Sequence, residues 1–307
     1  MKRYARAVTL FAGIGLLAAA DGGGTWTQKA PLPSSRSEVG VTAIGTTLYV
    51  IGGSNVGTGD DSRVEAYDAT TNAWRALVPI PQGVDHAGVA AIGTTVYVAG
   101  GYARGNVTSA VWSYDTVRNR WGELSPLPQP RAALGLVALN GRLHAIGGNR
   151  GGSVTDHEVY NPSENTWQRA APLPVGRDHL ALATFGGKIY AIGGRINTPA
   201  RNVDRTDIYD PQTDTWTAGA PMPTARSGVA CAVYKGRIHV IGGESPRGTF
   251  VQNEAYDPAS NAWTSFAPLP DGRHGTGAAT IGDALYLPAG GPTPGGSRSN
   301  TLFAFSL

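Results

Sequence analysis

The stretch LYVIGG, residues 48–53, decides the fold because it returns five more times along a chain of 307 residues. Similar apolar runs that end in a glycine pair are VYVAGG, LHAIGG, IYAIGG, IHVIGG and LYLPAGG, with glycine pairs at Gly52-Gly53, Gly100-Gly101, Gly147-Gly148, Gly193-Gly194, Gly242-Gly243 and Gly290-Gly291. Successive pairs lie 46 to 49 residues apart. A fixed period of this length indicates a repeat architecture with one supersecondary unit per repeat.

A tryptophan keeps the same period, at Trp26, Trp74, Trp121, Trp167, Trp216 and Trp263. A tyrosine followed by Asp or Asn precedes five of them, at Tyr67-Asp68, Tyr114-Asp115, Tyr160-Asn161, Tyr209-Asp210 and Tyr256-Asp257. Each unit is therefore interpreted as four strands, a to d. Strand b ends in the glycine pair, strand c ends in the tyrosine pair, and strand d carries the tryptophan. Stacked units would bury the aromatic rings between neighbouring sheets.

These coincident features resemble the kelch repeat, whose unit is one four-stranded propeller blade. The resemblance covers residues 25–307 and implies an all-β, six-bladed β-propeller of four-stranded antiparallel blades. The last unit ends with RSNTLFAFSL and has no tryptophan strand, whereas GTWTQKAPLP at residues 24–33 supplies one. We therefore expect the N-terminal strand to complete the last blade and close the ring, which removes open sheet edges.

The first twenty residues differ from the rest of the chain. Lys2, Arg3 and Arg6 precede an apolar run that ends in Ala18-Ala19-Ala20. This layout predicts a secretory signal peptide at residues 1–20, and hence a periplasmic or secreted protein, with an uncleaved anchor as the alternative. Residues 21–307 are interpreted as one propeller domain without a membrane span.

Charge and cysteine content exclude several classes of function. The chain has 25 Lys and Arg against 22 Asp and Glu, and removal of residues 1–20 leaves the two signs balanced. A neutral body does not indicate nucleic-acid binding. Cys231 is the only cysteine, so no intrachain disulfide forms. We expect a monomer without a cofactor.

Strand direction places the linkers from d to a and the loops from b to c on one face, which we call the loop face. The loops there vary in sequence, and variable loops on a rigid scaffold are the usual place for binding. We call the residue that begins each d-to-a turn the junction position. Arginine occupies it in five blades, at Arg36, Arg131, Arg177, Arg226 and Arg273, and valine in one, at Val84.

These junction arginines are predicted to bind a ligand together with Arg150 and Arg195 from the b-to-c loops. Guanidinium groups bind carboxylate, sulfate or phosphate through paired hydrogen bonds. Kelch propellers that bind acidic peptides use arginines at this junction, which the resemblance carries to the five positions above. The alternative is that acidic residues on the same face neutralise the arginines.

The histidines near the junctions are candidates for chemistry. Asp85-His86 and Asp178-His179 occupy equivalent places in blades 2 and 4, and His274 lies one residue after the junction of blade 6. With Glu38, the two Asp-His pairs are the candidate catalytic acids and bases. We predict no metal, although His86, His179 and His274 are the set that would hold one. Simple hydrogen bonding at the start of strand a is the alternative.

The residues of this chain match neither of two kelch enzyme types. Galactose-oxidase-type enzymes need a Cys–Tyr crosslink and a copper site, whereas Cys231 lies inside the apolar strand GVACAVY. A periplasmic sialic acid mutarotase is similar in architecture, but none of its catalytic motifs is matched here. The sequence thus favours an exported protein that binds a protein segment or an acidic glycan, and the alternative is a carbohydrate enzyme of the mutarotase or epimerase kind.

Overall fold

The computed structural model describes residues 22–55 and 59–307, and the predicted signal peptide lies outside these ranges. Six four-stranded antiparallel sheets confirm the six-bladed all-β prediction. The strands of blades 1 to 3 are Gly40–Ile44, Thr47–Ile51, Val64–Asp68 and Ala73–Ala76; Gly88–Ile92, Thr95–Ala99, Val111–Asp115 and Arg120–Leu124; and Gly135–Leu139, Arg142–Ile146, His157–Asn161 and Thr166–Arg169.

The strands of blades 4 to 6 are Ala181–Phe185, Lys188–Ile192, Thr206–Asp210 and Thr215–Ala218; Ala230–Tyr234, Arg237–Ile241, Asn253–Asp257 and Ala262–Phe266; and Ala279–Ile281, Ala284–Pro288, Leu302–Ser306 and Thr25–Gln28. The six a strands contact one another in a closed circle and therefore line the axis. The b strands are apolar and buried because neighbouring blades cover both faces, whereas the d strands lie at the exposed periphery.

The N-terminal strand closes the ring, as the sequence predicts. Thr25–Gln28 pairs antiparallel with Leu302–Ser306, so blade 6 combines strands from both ends of the chain. Short hairpins extend three b-to-c loops: Ser54–Asn55 with Gly59–Asp60, Tyr102–Ala103 with Asn106–Val107, and Glu244–Ser245 with Gly248–Thr249. One helical turn, Pro199–Arg201, lies in the loop of blade 4. Within the described ranges, no helix has the length and apolar character that a membrane crossing requires.

The glycine pairs connect each blade to the next. The second glycine of each pair donates its N–H to the carbonyl of the next junction residue, as in Gly53 to Val84 at 2.8 Å. A side chain on Gly52 would lie 2.3 Å from the Val84 carbonyl oxygen, and both glycines have positive φ. Blade 6 corrects the predicted pair: Gly290 donates to the Arg36 carbonyl, so Ala289-Gly290 is equivalent to the other pairs.

The periodic tryptophans also hold neighbouring blades together. All six donate the indole N–H to a main-chain carbonyl of the preceding blade at 2.8–2.9 Å; the pairs are Trp26–Ala267, Trp74–Ala30, Trp121–Val78, Trp167–Ser125, Trp216–Ala171 and Trp263–Ala220. Each bond satisfies an indole N–H that would otherwise be unpaired where the tryptophan packs against the neighbouring blade. It also fixes the distance between the two blades. The aromatic periodicity is therefore an inter-blade feature, as predicted.

The junction arginines lie inside the blades, which corrects the prediction that they bind a ligand. Four of them are 0% exposed and Arg273 is 3% exposed. Each of the four pairs with the second residue of strand c in its own blade: Arg36–Glu65, Arg131–Glu158, Arg177–Asp207 and Arg226–Glu254. Such pairing is what makes a buried guanidinium tolerable, because an unpaired buried charge is strongly destabilising.

In blades 2 and 6, the junction residue and the second residue of strand c are also matched, but the strand-c residue is aromatic instead of acidic. In blade 2, Val84 stands at the junction and Trp112 at the second position of strand c, and both pack in one apolar cluster. In blade 6, the Arg273 guanidinium lies 5.4 Å from the ring centre of Phe303 and donates to Thr301. The junction residue and its strand-c partner therefore change together.

Two strand-b histidines replace tyrosine and are structural. The Nδ1 of His144 contacts the Nε2 of His157 at 2.9 Å, and His157 Nδ1 donates to the Ala171 carbonyl. Burial, with the adjacent His157, lowers the pKa of His144 to about 3, and burial lowers the pKa of His157 to about 4. In blade 5, His239 contacts Asn253 in the same way.

Removal of residues 1–30 will destabilise the whole ring, because it deletes the strand that completes blade 6 and the Trp26 hydrogen bond. We expect a much lower midpoint of thermal unfolding, measured by circular dichroism. Removal of residues 1–21 is the matched control, since it leaves Thr25–Gln28 in place. Equal midpoints for the two truncations would refute closure by this strand.

Replacement of one buried charge pair by the apolar pair of blade 2 will show strong coupling. Arg131→Val or Glu158→Trp alone leaves an unpaired buried charge, and each is expected to reduce the free energy of unfolding by about 3–5 kcal/mol. The double variant should be more stable than the sum of the two effects by about 1 kcal/mol or more. Urea unfolding of the four proteins measures the cycle, and simple additivity would contradict it.

Lowering the pH from 6.5 to 4.5 will destabilise the protein through His144 and His157. Both are neutral when folded, whereas an unfolded histidine has a pKa of about 6.5 and takes up a proton in this range. The unfolded state is thereby favoured as the pH falls. The double variant His144→Tyr/His157→Val, which copies other blades, should show a shallower decline in urea midpoint with pH. Parallel declines would exclude this pair as the cause.

Candidate functional site

A closed ring of main-chain hydrogen bonds surrounds the axis on the loop face. It is formed by the residues two places after each junction, which we call the ring positions: Glu38, His86, Ala133, His179, Gly228 and Gly275. Each ring residue donates its N–H to the carbonyl of the ring residue in the preceding blade, at 2.5–3.1 Å. The circle returns from Glu38 to Gly275, so the six blades are joined at their inner corners.

All six ring positions have a left-handed backbone, with φ between 52° and 67°. This conformation is unfavourable for residues other than glycine. Ala133 adopts it too, so the conformation belongs to the ring and is not a special property of the candidate residues. The side chains that matter are Glu38, His86 and His179, while the methyl and hydrogen atoms of the other three positions leave room around them.

His86 lies between two carboxylates. Its Nδ1 is 2.6 Å from Asp85 Oδ1, and its Nε2 is 3.2 Å from Glu38 Oε2. Burial disfavours the charged imidazole, but Glu38 and Asp85 prevail and raise the pKa of His86. Burial likewise opposes ionisation of Glu38, yet His86 and the other imidazoles hold the pKa of that carboxyl well below its usual range.

His179 has a similar anchor, but its pKa is shifted in the opposite direction. Its Nδ1 is 2.6 Å from Asp178 Oδ1, and its Nε2 is 3.0 Å from Arg195 Nη2. Burial outweighs the effect of Asp178, and with Arg195 and His86 it lowers the pKa of His179. The His86 and His179 rings touch edge to face, with centres 5.1 Å apart. Two adjacent imidazoles therefore have pKa values shifted in opposite directions.

Arg195 crosses the mouth of the channel between two carboxylates. It donates to Asp178 Oδ1 and Glu244 Oε1, each at 3.0 Å. Glu244 also accepts the N–H of Gly295 and lies 3.6 Å from the buried His274 Nδ1. Arg195 thus links blades 4 and 5, and its guanidinium is already paired with carboxylates of the protein.

These side chains form the floor of a pocket of about 460 Å³. The lining residues come from five blades: Ser37, Glu38, Ser54, Asp85, His86, His179, Arg195, Pro199, Glu244, Ser245, Pro246, Pro294, Gly295 and Gly296. Three prolines stand among the loop residues that line it. The pocket therefore has charged and polar groups on its floor and loop prolines at its sides.

The structure brings together Glu38, Asp85, His86, Asp178, His179 and Arg195 from the predicted residues. Arg150 is not among the pocket residues; it pairs with Asp156. The predicted metal set also changes, because Glu38, His86 and His179 place ligand atoms within 4.8 Å of one another. His274 donates its Nε2 to the Thr293 carbonyl and lies outside that group.

Glu244 was not among the predicted site residues, and the sequence indicated it only as one of the loop-face acids that could neutralise arginines, as it does with Arg195. It directly follows the glycine pair of blade 5, as Arg195 does in blade 4. Residues at this position form bridges with the residue after the junction, as in Asp178 with Arg195 and Ser227 with Glu244. The place immediately after the glycine pair was therefore the available signal for a residue at the mouth.

Comparison with known proteins places the chain in a family. The model described as KLHDC2/KLHL20/DRC7 Kelch-repeats domain matches residues 24–194, and the Kelch motif matches residues 176–223 and 225–270. The solved structure of YjhT is similar with a TM-score of 0.77 and 18% identity, over 89% of this chain and 95% of that chain. No curated protein matches the sequence. The chain belongs to the kelch-repeat family of β-propellers.

Proposed function

We propose that the mouth pocket binds a small, neutral, polyhydroxylated ligand of the carbohydrate class. The observation that carries this proposal is the pocket of about 460 Å³ over convergent carboxylate, imidazole and guanidinium groups. This volume falls within the range of small-molecule sites, about 300–1,000 Å³. A recessed pocket of this size favours a compact ligand over an extended protein segment.

The chemistry of the pocket suits hydroxyl groups. A hydroxyl both donates and accepts hydrogen bonds, and the floor offers acceptors on Glu38, Asp85 and Glu244 beside donors on Arg195. Pro199, Pro246 and Pro294 add apolar surface with little conformational freedom to lose on binding. A preorganised site with few mobile side chains loses less entropy when a ligand binds.

The charge of the pocket disfavours an acidic glycan or an acidic peptide. Four junction arginines are fully buried and ion-paired inside the blades. The one guanidinium that lines the described pocket, Arg195, already contacts two carboxylates. An added anion would compete with those carboxylates and face Glu38 and Asp85. A neutral ligand avoids this repulsion.

A second candidate is an enzyme of the mutarotase or epimerase kind in the same pocket. The specific support is the contact of His86 with Asp85 on one side and Glu38 on the other, which places groups able to exchange protons beside bound hydroxyls. The signal-like residues 1–20 support action outside the cytoplasm, in a periplasm or a secreted state.

Binding of neutral mono- and disaccharides will be detected by saturation-transfer NMR on the purified protein, and the affinity of each hit measured by calorimetry. Glu244→Gln removes one charged acceptor and should weaken every hit by about tenfold or more. Arg150→Gln is the matched control, since it breaks a charge pair that does not line the pocket. Equal losses in both variants, or none in Glu244→Gln, would refute the pocket as the site.

The enzyme candidate is tested with the same hits. Exchange spectroscopy measures the interconversion of sugar anomers with and without the protein. A rate that rises with wild-type protein and returns to the uncatalysed value with Glu38→Gln supports catalysis. Binding without any acceleration leaves the carbohydrate-binding proposal intact and removes the enzyme.

A further inference from the structure

We propose that Glu38, His86 and His179 bind a divalent transition-metal ion of the zinc type at the channel mouth. This inference goes beyond carbohydrate binding and does not depend on it. The three residues occupy three of the six ring positions, so a rigid circle of main-chain hydrogen bonds fixes their backbones. Their ligand atoms already lie within 4.8 Å of one another.

The distances fit a tetrahedral ion. Bonds of about 2.0–2.2 Å from zinc to nitrogen and oxygen place neighbouring ligand atoms about 3.4 Å apart. Glu38 Oε2 and His86 Nε2 are 3.2 Å apart, which already matches one edge. His179 Nε2 would have to move toward them by side-chain rotation. Two histidines and one glutamate are a known three-ligand set for zinc with a fourth position open.

The outer contacts have the arrangement found around metal-bound histidines. Such histidines usually donate the second ring nitrogen to a carboxylate, which fixes the ring and its tautomer. Here His86 Nδ1 and His179 Nδ1 each lie 2.6 Å from the carboxylate of the preceding aspartate. Both Nε2 atoms face the site, where His86 Nε2 contacts Glu38 and His179 Nε2 accepts a hydrogen bond from Arg195 Nη2. Asp178 is held in turn by Arg195 and by Asn149.

The local charge favours a cation. Four carboxylates meet at the mouth, from Glu38, Asp85, Asp178 and Glu244, and the described ion pairs join them to the guanidinium of Arg195 and to the imidazoles of His86, His179 and His274. Protonated His86 and His274 offset part of this negative charge, and a dication bound to Glu38 and His86 would take the place of the proton on His86 Nε2. Arg195 Nη2 would release His179 Nε2 and keep its bonds to Asp178 and Glu244. The buried His274 Nδ1 lies 3.4 Å from Glu38 Oε1, on the side of the carboxylate opposite to His86 Nε2 and Glu38 Oε2.

The test is a calorimetric titration of the full chain with Zn²⁺ after removal of metals by a chelator. Wild type should bind one ion. His86→Asn, His179→Asn and Glu38→Gln should each weaken binding by about 100-fold, and Asp178→Asn by about 10–100-fold. Asparagine is chosen because it tolerates the left-handed backbone of the ring. His239→Tyr removes a distant imidazole and should leave Zn²⁺ binding unchanged.

Co²⁺ supplies an independent readout, since the intensity of its visible absorption bands distinguishes four-coordinate from six-coordinate ions. Intense bands should appear in wild type and disappear in His179→Asn. Thermal unfolding checks each variant, and an unfolded one is replaced by alanine, which Ala133 shows to be compatible with the ring. The proposal is overturned by no Zn²⁺ binding in wild type, by preference for Ca²⁺ or Mg²⁺, or by loss in His274→Gln with retention in Glu38→Gln.

Discussion

The closed circle of six main-chain hydrogen bonds at the axis is the constraint on which the rest of the structure depends. It can close only if every blade offers a residue with a left-handed backbone at the same place. It also needs the b-to-c turns to approach the next blade closely, which the glycine pairs permit. The repeated glycines are therefore the local condition for a global closure. Each blade thus contributes one residue in this conformation, which is unfavourable for every residue type except glycine.

Outside this circle, neighbouring blades are joined by a second set of contacts with the same period. The indole hydrogen bonds reach back one blade, and the tyrosine of strand c is held by the Asn or Asp five residues later, as in Tyr67 with Asn72. The same Asn72 oxygen accepts the N–H of Ala30 from the preceding blade. In blade 6, Phe305 has no hydroxyl, and Gly24 stands two residues before Trp26, at the place that Asn72 holds before Trp74. Partners thus change together, which preserves the fit of a blade against its neighbour.

The fold was predictable from the sequence because its determinants are periodic. Gly53, Trp74 and Tyr67 recur at a constant interval, and a repeat read six times leaves little freedom for another architecture. The junction arginines are periodic too, yet they were predicted to bind a ligand. Their periodicity indicates scaffold, and the acidic residue two places before the strand-c tyrosine in four blades, such as Glu65, was the signal of a buried pair.

The site depends on departures from the repeat, and these have no period to reveal them. Asp178-His179 was predictable because it has a counterpart only in blade 2. Arg195 bridges Asp178 within blade 4, but its contact with Glu244 and the contact of Glu38 with His86 each join neighbouring blades, and no local pattern encodes them. Glu244 belongs to a loop whose course is set by tertiary packing. Sequence reasoning thus found the candidate residues of blades 2 and 4 but not their joint geometry.

Ala133 gives the ring a further meaning. A methyl group between His86 and His179 lets the imidazoles of two non-adjacent blades touch, and Gly275 leaves space for Glu38, whose carboxylate would collide with a side chain there. The six ring positions therefore share one backbone geometry, and different blades place different side chains on it. Substitutions at these positions change the side chains that line the channel mouth while the arrangement of the blades stays the same. A repeat protein built this way can diversify its chemistry one side chain at a time while its architecture stays constant.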